Sequence, residues 1–139
     1  MALRSNAKIE LLKSVPLFAG CSKAELRRLA SIADEIDLRE GTVLTREGRI
    51  AHEFFVLIEG TVRVMKENRK VADLGSGDWL GEIALLTRAP RTATVTATSP
   101  LRTLVITDRE FRQLVSEVPS IAMKVLTCVA ERLSRTPQS

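Results

Sequence analysis

The hydrophobic period of this chain changes twice. Up to Ala33 the apolar residues recur every three to four positions, from Asp34 to Ile106 they alternate with polar ones, and after Thr107 the longer period returns. A period near 3.6 buries one face of a helix, and a period of 2 buries one face of a strand. The middle stretch runs through "EIDLREGTVLTREG", "HEFFVLIEGTVRVMKENRKVADLGSGDWL" and "RTATVTATSPLRTLVIT", punctuated by Gly41, Gly48, Gly60, Gly75 and Gly77. Short alternating runs with turn residues at such spacing predict an antiparallel β-barrel or jelly roll. The expected class is therefore α+β, mainly β. The expected layout is one domain over residues 1–139, with helices over 5–33, a barrel over 34–106 and C-terminal helices over 107–135.

The flanking helices carry their own signals. Ile9, Leu11 and Leu12 fall on one side of the first, Ser5 stands where a cap is needed, and Pro16 ends it. "SKAE", Ser22 to Glu25, is a capping-box pattern, and it opens a helix with the apolar stripe Leu26, Leu29, Ala30 and Ala33. "TDRE", Thr107 to Glu110, repeats that pattern. Pro119 begins or kinks a last helix in which Ile121, Val125, Cys128, Val129 and Leu133 share one side, and Pro137 stops it.

Composition removes several function classes. A chain of 139 residues suits one hydrophobic core. No apolar run approaches the roughly 18 residues of a membrane span, so no membrane partner is expected. "MALRSNAKIELLKS" lacks the apolar centre of a signal peptide, which makes the cytoplasm the expected compartment. Cys21 and Cys128 form no CxxC pair and read as buried thiols; His52 stands alone and reads as a surface residue. So few sulfur and imidazole groups argue against a zinc, haem or iron–sulfur site, and against a cupin-type metal enzyme. No nucleophile–base pair is visible, so neither catalysis nor a cofactor is expected. Net charge is +4, with 21 Lys and Arg against 17 Asp and Glu. The bases of "ELRRLA", "KENRK" and "DREFRQ" are interleaved with acids, as on a solvated surface, so direct nucleic-acid binding is not expected. Trp79 reads as a core or rim residue.

One segment departs from strand alternation: "GEIALLTRAPRTATV", residues 81–95. Gly81 permits close backbone approach. "EIALL" has the spacing of one or two helical turns, whose first N–H groups attract an anion. Arg91 is permanently charged and forks onto a phosphate, while an ionised Glu82 accepts from a hydroxyl such as a ribose 2′-OH. Phosphate at one end and ribose at the other describe a cyclic nucleotide. An ion pair between Glu82 and Arg91 that closes a loop is the other reading of the same residues.

"GDWLGEIALLTRAPRTATV" resembles the phosphate-binding cassette of the cyclic nucleotide-binding domain family, which includes catabolite activator proteins, protein kinase A regulatory subunits and cyclic-nucleotide-gated channels. The matching residues are Gly77-Asp78, Gly81-Glu82-Ile83-Ala84-Leu85 and Arg91-Thr92-Ala93, within a cassette over 77–93. Leu80 replaces the usual Phe. Gly41, Gly48, Gly60 and "VPLF" at 15–18 also fit, and the resemblance covers about residues 8–136. It implies that Glu82 accepts from the ribose 2′-OH and that Arg91 pairs with the cyclic phosphate. It further implies that backbone N–H groups of Ile83, Ala84, Thr92 and Ala93 complete the cradle. Thr92 bears on the choice between cyclic AMP and cyclic GMP; cyclic AMP is favoured here, and the residue also simply continues the run Thr92, Thr94, Thr96, Thr98. Alignment of the last helix places Arg132 and Thr136 near the purine, although Pro137 departs from the pattern and Arg132 reads equally as a solvated helix charge. The apolar side of that helix needs a partner surface. The barrel mouth near Leu85 and Leu86 is one, with the helix as a lid; a second copy of the chain or an effector is another. The resemblance thus implies a regulatory binding module that signals through its C-terminal helix. It also fits the ligand-sensing piece of a Crp/Fnr-type transcription regulator, which would need a helix-turn-helix beyond Ser139, or of a gated channel.

Overall fold

The structure, a computed structural model, describes residues 3–135; the side chains of Glu82, Ile83, Arg132, Leu133 and Arg135 lie outside that description. Two helices come first, α1 (Ser5–Lys13) and α2 (Lys23–Ser31), joined through a 3₁₀ turn at Pro16–Phe18. The strands follow: β1 (Asp34–Leu38), β2 (Val43–Thr45), β3 (Glu53–Glu59), β4 (Val62–Lys66), β5 (Arg69–Leu74), β6 (Trp79–Leu80), β7 (Thr94–Ala97) and β8 (Leu101–Thr107). A second 3₁₀ turn, Glu82–Leu85, lies between β6 and β7, and the chain closes with α3 (Asp108–Glu117) and α4 (Pro119–Arg135). The strands form two four-stranded antiparallel sheets, in the orders β1-β8-β3-β6 and β2-β7-β4-β5. This is the jelly roll with flanking helices that the changes of period predict.

Period 2 sorts the central strands into two cores. Phe54 and Val56 of β3, with Leu104 and Ile106 of β8, face the helices and join Leu12, Phe18, Leu29 and Phe111. Phe55, Leu57 and Val105 point the other way and meet Val62, Val95 and Leu101 between the sheets. Strands buried on both faces read as continuous apolar runs, which is why "FFVLI" and "LVI" lack a polar residue at alternate positions. Phe18 is the pin of the helical side: its ring meets Phe54 edge-on at 5.9 Å and Phe111 at 6.2 Å. The β4–β5 hairpin turns through Glu67 and Asn68, both at positive φ (52° and 63°), as a two-residue type I′ turn requires.

Of three local expectations one holds and two change. Ser5 is the first residue of α1 instead of its cap; Arg4 occupies the cap position and offers no side-chain bond. The Ser22–Glu25 box is complete, with Glu25 N–H donating to Ser22 Oγ (3.2 Å) and Ser22 N–H donating to Glu25 Oε1 (2.7 Å). At Thr107 only half of the box forms. Its hydroxyl accepts from Glu110 N–H (3.2 Å) but donates to Glu110 Oε1 (3.1 Å), so the carboxylate is taken up by the side chain and not by the backbone.

The largest change concerns α4. Pro119 begins this helix after a bend of 116° from α3. Its apolar side, for which the barrel mouth, a second copy and an effector were the candidate partners, packs on the Pro16–Phe18 turn and α2 of its own chain. Ile121 and Val125 are fully buried there, and the Cys128 thiol lies 3.3 Å from the Pro16 carbonyl oxygen. A buried polar cluster sets this position: the Glu25 carboxylate accepts from both Ser120 Oγ and Lys124 Nζ. Burial pushes the Glu25 carboxyl up, but the bonds from Lys124, Ser120 and Ser22 outweigh it and bring it from 4.5 down to about 2. Beside it, burial and the Glu25 charge raise the Cys21 thiol to about 11, so it stays protonated at neutral pH. Both cysteines are free, Cys21 buried and Cys128 half-buried. Met123 and Leu126 lie on the opposite face of α4, 61% and 59% exposed.

Candidate functional site

The segment that broke the strand pattern forms one wall of a cavity. Its start is built by Asp78, whose carboxylate accepts from Gly75 N–H (2.8 Å). Gly77 N–H donates to Leu57 O and Leu57 N–H donates to Asp78 O, both at 2.8 Å. The Gly-Asp pair is thus a clamp that fixes the chain entering β6. Strand β6 pairs with Val56 and Phe55, and Trp79 lies half-buried against the helical core, as a rim residue. Leu80, where a Phe is usual, is buried between the sheets and lines the cavity.

Gly81 comes next, at φ +83°. A Cβ on it would lie 2.1 Å from Arg91 Nη1 and 2.9 Å from Glu53 O. The sequence suggested that Gly81 lets backbone approach a ligand; what approaches it here is the Arg91 guanidinium. Arg91 Nη2 donates to the carbonyl of Glu53, so the side chain is held between β3 and the glycine. The backbone of Arg91 is fixed as well: its N–H donates to Arg49 O (2.9 Å), and its carbonyl accepts from Gly48 N–H (2.8 Å). Thr45, buried in β2, donates to Ala93 O at 3.0 Å and ties down the end of the loop.

The cleft is open on one side and has a volume of about 360 Å³, within the roughly 300–1,000 Å³ of small-molecule sites. Val64, Leu74, Leu80 and Val95 line it with apolar side chains beside Thr45 and Arg91, with Thr92 exposed and Ala93 half-buried. A largely apolar cleft lined by the half-buried Arg91 suits a ligand that has a flat apolar part and an anionic group.

Of the residues singled out from sequence, Gly81, Ala84, Arg91, Thr92 and Ala93 all line this cavity. Leu85 does not. It is 2% exposed and packed into the helical core with Phe54 and Phe111, so it links the site to α3 instead of touching the cavity. The Ala84 N–H is occupied within the turn, donating to Gly81 O at 3.0 Å. The side chains of Glu82, Ile83 and Arg132, and the whole of Thr136, lie outside the described residues. Sequence reasoning missed Thr45, the Glu53 carbonyl and the apolar wall. Thr45 carried a weak signal, as a Thr closing the alternating run "TVLT"; a carbonyl acceptor carries none.

His52 was expected at the surface. Its side chain is 57% exposed, but Nδ1 lies 3.0 Å from Asp108 Oδ2, and Asp108 N–H donates to His52 O at 2.8 Å. Burial pushes the Asp108 carboxyl up, and the His52 bond, the Arg109 N–H and the Arg112 charge outweigh it and hold it below the usual range. Consecutive carbonyls thus serve different partners: Glu53 holds Arg91, and His52 holds the first residue of α3. Among the described residues no group of three or more His, Cys, Asp or Glu converges as a metal site, and no single helix is long and apolar enough to cross a membrane.

A jelly roll between helices, with a glycine-seated arginine in a short-turn cassette, defines a class of small-ligand binding domains. The profile of the cyclic nucleotide-binding domain matches residues 35–118, and the chain belongs to that family. Its sequence is 36% identical over 81% of its length to a cAMP-dependent protein kinase regulatory subunit of Mycosarcoma maydis, covering 23% of that subunit. It is 31% identical over 93% of its length to a cyclic nucleotide-gated potassium channel of Rhizobium etli, covering 36% of the channel. The chain thus spans about a quarter and about a third of the length of these two relatives. The solved N-terminal domain of a transcriptional regulator from Streptomyces coelicolor A3(2) superposes with a TM-score of 0.84 at 28% identity, over 91% of this chain and 94% of that one.

Proposed function

We propose that this chain is a regulatory sensor module that binds a cyclic nucleotide, cyclic AMP best, and releases it unchanged. The observation that carries the reading is Arg91: a guanidinium seated on Gly81, anchored to the Glu53 carbonyl and facing an apolar cavity of nucleotide size. In this reading Arg91 pairs with the cyclic phosphate and Glu82 accepts from the ribose 2′-OH. N–H groups of Ile83, Thr92 and Ala93 complete the cradle, and Ala84 joins them by sharing its N–H with Gly81 O. The purine lies against the apolar wall, with Thr92 at its edge and Arg132 and Thr136 approaching from α4. Because α4 is parked on the Pro16–Phe18 turn, that approach requires it to leave this seat. Occupancy reaches α3 by two contacts already formed, Leu85 in the helical core and His52 with Asp108.

The output lies in what α4 carries. The exposed Met123 and Leu126 suit a second copy of the chain or an attached effector, and the named relatives offer three kinds of effector: a kinase, a pore and a transcriptional regulator. The module acts in the cytoplasm and needs neither a cofactor nor direct contact with nucleic acid or membrane.

Calorimetric titration with cyclic AMP, cyclic GMP, 2′-deoxy cyclic AMP and linear 5′-AMP tests this. Cyclic AMP is expected to bind tightest, with the deoxy and linear analogues at least about tenfold weaker, since each loses one charge-assisted hydrogen-bond geometry worth roughly 1.5–3 kcal/mol. Absence of binding by either cyclic nucleotide overturns the proposal; equal binding of the deoxy analogue removes Glu82 from its role.

A further inference from the structure

Three surface segments far apart in sequence meet beside the cavity: 46–50, which follows its lining residue Thr45; the hairpin tip 66–70, two residues beyond its lining residue Val64; and 87–91, of which Ala89, Pro90 and Arg91 line it. Backbone bonds join them. Arg91 exchanges bonds with Gly48 and Arg49, and Glu67 N–H donates to Glu47 Oε1 at 3.0 Å. Together they hold seven basic residues and two acidic ones, whereas the rest of the chain holds fourteen basic and fifteen acidic. The net charge of +4 therefore belongs to these segments, and the remainder of the molecule is close to neutral.

Arg46, Arg49, Lys66, Arg69, Lys70 and Arg88 are all exposed. Among the described residues only Lys70 has an ion-pair partner, Asp73 at 2.7 Å. Apart from that exposed pair, none of the six side chains enters either core. A predominantly basic surface beside a cleft with low-dielectric walls focuses its field into the cleft and raises the local concentration of anions.

We propose that this basic collar steers the anionic ligand into the site without touching it in the complex. The inference rests on the reading of the cavity as a cyclic nucleotide site and adds a kinetic role for Arg46, Lys66 and Arg69, which that reading leaves unused. Steering acts on association; dissociation is governed by the contacts inside the cavity.

The test is stopped-flow binding of a fluorescent cyclic AMP derivative across a range of ionic strength, on native protein and on the triple variant Arg46→Gln/Lys66→Gln/Arg69→Gln. The native association rate constant is expected to fall steeply with salt. The variant is expected to associate about tenfold more slowly at low salt, with a nearly flat salt dependence and an unchanged dissociation rate. Native association that is insensitive to salt overturns the proposal while leaving the site assignment intact. So does a variant whose loss lies in dissociation, or a variant that keeps the native slope. If the native protein binds no cyclic nucleotide at all, the site assignment fails and steering falls with it. Because the native salt dependence needs no substitution, the result does not hinge on how the variant folds.

Discussion

Gly81 gives the space of its missing side chain to a guanidinium. At φ +83° any other residue is strained, and a methyl group would sit 2.1 Å from Arg91 Nη1. Gly81→Ala is therefore expected to cost about 1 kcal/mol of stability from the backbone and to cost binding far more, because Arg91 has to move off the Glu53 carbonyl. Thermal unfolding and cyclic AMP titration of the same variant separate the two effects: affinity should drop at least about tenfold while the variant remains folded. Native-like affinity would mean that the seat on Gly81 does not position Arg91. The need for a glycine at 81 was legible in the sequence, but its occupant was not. A residue that crosses from a loop to a strand carbonyl leaves no mark on either stretch of sequence. The same holds for Leu85, which looks like a cassette residue and is spent on the helical core.

Element by element, what was legible follows locality. Period 2 and period 3.6 are set by which face is buried, so the strands and helices stood out. The Ser22 box is complete because both partners lie within one turn. Where α4 packs is a nonlocal choice. Its apolar stripe was visible, but the surface it would meet was decided by Glu25, a residue whose capping role concealed its second bond to Lys124 and Ser120. This cluster titrates. The folded carboxyl lies near 2 against 4.5 when free, so its contribution is present above pH 4.5 and is lost as pH falls towards 2. Glu25→Gln is expected to cost about 2 kcal/mol, less than for a fully buried pair because Lys124 regains water. Acid unfolding of the variant should be less steep over that window, and amide exchange over 119–131 should quicken. An unchanged acid limb and unchanged exchange would mean that α4 is held by Ile121 and Val125 alone. Truncation after Pro119 cannot isolate the signalling role, since it removes those two core residues along with the helix.

Across the whole molecule, exposed apolar surface lies in two places: Ile50 and Val71 stand in or beside the basic segments near the cavity, and Met123 and Leu126 stand on the outer face of α4. The collar was invisible in sequence because it is split among three segments, two of them mixed with acids, and only the jelly-roll turns bring them together. The α4 face predicts a separable defect. Leu126→Glu is expected to abolish any self-association seen by analytical ultracentrifugation and to leave thermal stability within about 0.5 kcal/mol, as exposed substitutions do. Self-association that survives this change would place the contact elsewhere.

The central claim is that Arg91 holds the ligand's phosphate, and calorimetric titration of cyclic AMP into native protein and Arg91→Ala tests it most directly. Native protein is expected to bind at micromolar affinity or tighter, about −8 kcal/mol or better. The variant should keep its fold by circular dichroism and lose at least about tenfold in affinity, the worth of one charge-assisted bond together with the phosphate it leaves unpaired. A folded Arg91→Ala protein with native affinity would contradict the account.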